Sequence, residues 1–154
     1  MNSQRGYLVL AVAVAALVLY IMYGTYSSAL PATAEFAGVS LQLDYATTSA
    51  ARELGLGNRT DVPENYGMLF VFPNPNYWGF WMKDTLVPLD LFWLDSQGKV
   101  VSMAADVATS TFPTVFYPSV PAKYVLETAA GFAEAHGVAT GTPLLLKNFP
   151  TVSQ

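Results

Sequence analysis

Residues 7 to 23, YLVLAVAVAALVLYIMY, form an unbroken apolar run with neither charge nor proline. Extended by Gly24, Thr25 and Tyr26, the run makes roughly 30 Å of helix at about 1.5 Å per residue, the thickness of one hydrocarbon core. Arg5 and the amino terminus precede it, and no Lys or Arg follows until Arg52. The positive-inside rule then leaves residues 1–6 in the cytoplasm, a transmembrane anchor over residues 7–26, and the rest of the chain outside. Cleavage as a signal peptide is the alternative. Ser27-Ser28-Ala29 and Ala32-Thr33-Ala34 both present the small residues that such cleavage requires. In that case the domain is secreted, and it still lies outside the cytoplasm.

Beyond the run, residues 27–37 are small and polar with one proline, the composition of a tether. Val39 to Tyr45 alternates apolar and polar residues and predicts a half-buried strand. Thr47 to Leu54 predicts a short helix capped by Thr47 or Thr48 and closed by Gly55. Met68-Leu69-Phe70-Val71-Phe72 is apolar at every position, which predicts a strand buried on both faces. Residues 73–79, PNPNYWG, read as a turn-rich loop, with extended chain resuming at Phe80 to Lys83. Leu89 to Leu94 and Lys99 to Met103 flank Asp95-Ser96-Gln97-Gly98, a hairpin signal. Three prolines between Thr109 and Ala122 predict a long ordered loop. Strands follow at Lys123 to Thr128 and Leu144 to Lys147, with a helical turn at Phe132 to His136 between them. Short strands separated by Gly and Pro turns predict a mainly β domain over residues 38–148. Its expected form is a jelly-roll-like sandwich or partly closed barrel with two short helices.

Composition narrows the classes. Seven basic residues against eleven acidic ones give a net charge of −4, with no basic stripe, so nucleic acid is not an expected partner. Cysteine is absent, which removes disulfides, thiol nucleophiles and thiolate metal sites. Nine Phe, nine Tyr and three Trp supply the packing that such a domain must depend on, and a monomer is expected.

The segment Phe80-Trp81-Met82-Lys83-Asp84-Thr85-Leu86-Val87-Pro88-Leu89-Asp90 resembles the signature of domain of unknown function family 192. Three further blocks agree in order: Arg52 with Gly55-Leu56, Gly67 to Phe72, and Tyr124-Val125-Leu126-Glu127 followed by Gly131. The resemblance spans residues 38 to 146. It departs from the family pattern at Asp84, where Asn is usual, and at Gly57, where Met is usual. It implies a jelly-roll-like β fold, often behind a signal or anchor, and it implies no reaction.

Charged residues inside apolar sequence are the candidate chemistry. Arg52, Trp81, Lys83, Asp84, Thr85, Asp90 and Glu127 are the candidate ligand-binding residues, with Trp81 as a flat apolar wall. Internal ion pairs, Arg52 with Glu127 and Lys83 with Asp90, are the competing reading of the same residues. His136, the only histidine, suits a helix C-terminal cap. Asp61 with Glu64, or Asp84 with Asp90, matches no oxygen-ligand spacing, so no metal or other cofactor is expected. No nucleophile elbow, phosphate loop or dinucleotide motif is present. The expected function is binding of a small polar ligand, such as a carbohydrate or envelope component. A hydrolase- or lyase-type enzyme using Asp or Glu, and a protein-interaction domain of the envelope, remain open beside it.

Overall fold

Alternation of inward and outward side chains organises the observed fold. The computed structural model describes residues 32–152; the expected anchor at 7–26 lies outside them. Among the described residues no helix is long and apolar enough to cross a membrane. Seven strands follow one another along the chain: β1 (Ala32–Phe36), β2 (Val39–Ala46), β3 (Tyr66–Asn76), β4 (Leu89–Leu94), β5 (Val100–Val107), β6 (Ala122–Ala129) and β7 (Leu144–Leu145). Helix α1 (Ser49–Leu54) lies between β2 and β3, and α2 (Phe132–His136) between β6 and β7. The strands form one sheet in the order β5-β4-β6-β3-β2-β1-β7.

The sheet curls until its two ends approach each other. Val100 N–H donates to Thr142 O (3.0 Å), Gly141 N–H to Val100 O (2.7 Å) and Leu144 N–H to Gly98 O (2.9 Å), which ties the start of β5 to the approach to β7. The partly closed barrel is therefore the observed form, and the jelly-roll-like sandwich is corrected. A jelly roll divides antiparallel strands between two sheets, whereas here β2 and β3 pair in parallel, with α1 in the crossover that parallel neighbours require.

A second correction concerns the segment read as tether. Residues 32–36 are strand β1, with Ala34 and Phe36 buried. Its small residues hide the alternation that a larger apolar set would show. Ala37 and Gly38, both at positive φ (50° and 81°), make the tight turn that returns the chain as β2.

All seven strands contribute to one core cluster on the concave side, including Phe36, Leu41, Leu69, Phe92, Leu126 and Leu144. Phe36 packs edge-on to Phe92 at 5.1 Å and stacks on Phe132 of α2 at 5.7 Å. The convex face of β3, β4 and β6 carries a second cluster built on Phe70, Phe72, Leu91, Trp93 and Val125. Phe80 and Met82 from the β3–β4 loop and Leu56 from the α1–β3 loop cover it. That double burial is why Met68 to Phe72 is apolar at every position. The predicted caps hold as well: Thr48 Oγ1 accepts the Ala51 N–H, and Gly55 ends α1. The Asp95–Gly98 turn joins β4 to β5, with Asp95 Oδ1 accepting from Gln97 and Lys99 N–H.

Candidate cleft on the convex face

Helix α1 and the β3–β4 loop do not meet completely over the convex face. Between them lies a cleft of about 340 Å³, within the range of small-molecule sites. Arg52, Glu53 and Gly55 line one side, Trp78, Trp81, Lys83 and Thr85 the other, and Phe70, Phe72 and Glu127 line it from the sheet.

Glu127 sits there because of register. On β6 it is opposite Met68 of β3 and Leu91 of β4, so it shares the convex face with Val125 while Leu126 points into the barrel. Its side chain is buried, and its Oε2 has no hydrogen-bond partner among the described residues. Burial pushes the carboxyl up to about 8, against a smaller lowering from the Leu56 backbone N–H that donates to it. The group is thus mainly protonated at neutral pH, an acid with one oxygen still unengaged. Gly55 brings no side chain against that oxygen, which is closed to solvent in this structure. A Cβ at Gly55 would lie 3.1 Å from Phe70 Cζ and 3.5 Å from Glu127 Oε2. At φ 53° and ψ −136° the backbone there also favours glycine.

Arg52 forms a fixed wall. Its Nη1 donates to Thr47 O (2.8 Å) and Val71 O (3.0 Å), and the guanidinium lies 5.3 Å from the centre of the Phe72 ring. Phe72 in turn stacks on Trp78 at 4.0 Å. Lys83 is exposed and makes no ion pair among the described residues. Trp81 is 46% exposed and meets Phe112 edge-on at 6.5 Å.

Five of the seven residues singled out in the sequence therefore line one cleft: Arg52, Trp81, Lys83, Thr85 and Glu127. The other two do not. Asp84 is exposed on the outer side of the loop with φ 54°, and its carbonyl accepts the Asn58 N–H at 2.8 Å. That left-handed conformation suits Asn or Asp and explains why either serves at this position. Asp90 faces the barrel side of the sheet and is fully buried. Its Oδ1 accepts the Asp106 N–H (2.6 Å) and its Oδ2 the Ala133 N–H (2.7 Å). Both ion pairs considered from the sequence are corrected by this geometry. Asp90 is engaged by backbone donors and Arg52 by carbonyls, and the ion pair found among the described residues is Arg59 with Asp44 at 3.1 Å. That pair is half-exposed and carries little stability of its own. Glu53 and Phe72 were not among the sequence candidates. Glu53 carries no pattern that distinguishes it from any surface helix glutamate. The run of aromatics Tyr77, Trp78, Phe80 and Trp81 suits either the core or the rim of a groove; Phe80 is buried in the core, Tyr77 and Trp81 are exposed, and Trp78 and Trp81 line the cleft.

The model of domain of unknown function family 192, described as "Uncharacterized ACR", matches residues 32–146. The chain belongs to this family. Within family 192 the match begins at β1, which agrees with the strand found in place of the expected tether. Two solved structures are similar. A protein of Sinorhizobium meliloti 1021, described as a candidate transcription regulator, is 29% identical with a TM-score of 0.68, over 73% of this chain and 88% of its own. A protein of unknown function from Novosphingobium aromaticivorans DSM 12444 is also 29% identical, with a TM-score of 0.66, over 77% of this chain and 88% of its own. No curated protein matches the chain.

Proposed function

We propose that this family 192 chain is a binding module that takes a small polar ligand, such as a carbohydrate or envelope component, in the convex-face cleft. The observation that carries the reading is the unengaged Oε2 of buried Glu127 beneath that cleft. Leaving a buried polar atom without a partner costs about 1–3 kcal/mol, and a ligand that engages it recovers that cost. Aromatic faces at Trp78 and Trp81 beside polar groups at Glu127, Lys83 and Thr85 make a mixed lining suited to a sugar-like body. Isothermal titration of the full chain with a panel of neutral, amino and acidic sugars tests it. At least one should bind saturably, and Trp81→Ala should weaken that binding roughly tenfold or more. A panel without any saturable binder, or a binder indifferent to Trp81→Ala, rejects the cleft as the site.

The titration range of Glu127 favours one second reading. A carboxyl that exchanges its proton near neutral pH is suited to general acid or base work, with Glu53 as a further carboxylate lining the cleft. Asp84 and Asp90 fall outside this role, since neither lines the cleft.

The compartment belongs to the proposal too. It rests on the apolar run at 7–26 and on Arg5 before it. The full protein should stay with membranes through a carbonate wash and lose its domain to protease added outside intact cells. Protection of the domain in such cells would reject the orientation, and a mature terminus near Leu30 or Glu35 would replace the anchor with a cleaved signal.

A further inference from the structure

The charges around the cleft deepen that reading. Arg52 and Glu53 face it from α1, and Lys83 from the β3–β4 loop, while β3 and β4 flank Glu127 with apolar Met68 and Leu91. Asp84, next to Lys83, stands outside. With Glu127 holding its proton, the cleft carries two cations against one anion, on a chain whose net charge is −4. Arg52 is occupied with carbonyls, so Lys83 is the cation left to meet a ligand.

Resting on the binding reading, we infer that the ligand is a small carboxylate carried on a polar body, of the acidic-sugar class. Its charge faces Lys83, and one of its oxygens accepts the proton of the Glu127 carboxyl, which lines the cleft from the sheet. A protonated carboxyl without a partner is a donor in need of an acceptor, and ionised oxygens accept such bonds about twice as strongly as neutral ones. Deprotonated Glu127 would instead set two anions against each other in a half-enclosed site. A cationic ligand would have to share the cleft with Arg52 and Lys83.

The test is titration of the full chain with glucuronate and with glucose at pH 7 and pH 9. Glucuronate should bind at least tenfold tighter than glucose at pH 7. Its affinity should fall about tenfold from pH 7 to pH 9, because a group titrating near 8 passes from about nine-tenths to one-tenth protonated over that interval. In Glu127→Gln, whose amide cannot ionise, the ratio between the two pH values should fall close to one, whatever the absolute affinity. Lys83→Gln should weaken glucuronate at least about fivefold more than it weakens glucose. Glucose binding as tightly as glucuronate would overturn the inference and leave the binding reading standing. So would a pH dependence of glucuronate binding that survives Glu127→Gln. Silence from both sugars would overturn the inference, and silence from the whole sugar panel would overturn the reading it rests on as well.

Discussion

Glu127→Gln should raise the stability of the protein at pH 7.5 by roughly 2–4 kcal/mol and flatten its dependence on pH between about 5 and 8. The carboxyl has its ordinary value of 4.5 in the unfolded chain and about 8 in the folded one. Between those values the folded protein holds a proton that the unfolded chain has released. Stability is therefore full below about 4.5, falls as pH rises by up to about 1.4 kcal/mol per pH unit, and levels off above 8. Glutamine keeps the shape and the acceptor for the Leu56 N–H while removing the titration. Urea unfolding of both proteins across this pH range measures the difference, in which the titrations of all other groups cancel. Parallel curves for the two proteins would show that Glu127 is ionised in the fold and that its environment is more polar than the cleft geometry implies.

Asp90→Ala should cost about 3–5 kcal/mol, one of the largest losses available to a single side chain in this domain. Asp90 lies fully buried on β4 and accepts from two backbone N–H groups far apart in sequence, those of Asp106 and Ala133. The first belongs to β5, at a residue with φ 50°, and the second to the first turn of α2. Truncation removes two charge-assisted bonds and strands both donors. Asp90→Asn should recover only part of the loss, since its amide nitrogen would face one of the two N–H groups. Making Lys83 apolar beside Asp90→Ala should rescue nothing, which separates this account from an ion pair between them. A loss under about 1 kcal/mol in urea unfolding, or a clear rescue by the Lys83 change, would refute the assignment of Asp90 as a tie between β4, β5 and α2.

The two acidic residues illustrate where sequence reasoning reached and where it stopped. Asp90 and Glu127 both stood out as charges in apolar strands, and both are buried. Nothing local distinguishes them. Asp90 is satisfied because a β5 bend and the start of α2 bring donors to its face of the sheet. Glu127 is left with a free oxygen because the opposite face is covered only by α1 and a loop. The family motif at residues 80–90 likewise divides into parts with different duties. Trp81, Lys83 and Thr85 line the cleft, Asp84 holds a left-handed turn, and Asp90 braces the barrel.

The sequence by itself determined the β class, the caps of α1, the Asp95–Gly98 hairpin and the double burial of Met68 to Phe72. Each is written in local periodicity or turn chemistry, which act within a few residues. It also marked five residues of the cleft through apolar context and the resemblance to family 192. Only the tertiary structure decided that β2 and β3 run parallel in a single curled sheet and that Ala32–Phe36 is a strand. It likewise decided that Arg52 binds carbonyls rather than Glu127, and that Glu127 Oε2 is buried without a partner among the described residues. These outcomes depend on which backbone donors and acceptors meet across tens of residues, and no local pattern encodes them. The partner a buried charge finds is set by the register of its strand and the element packed over it, and in this chain that choice separates a structural brace from an acid with an unpaired oxygen.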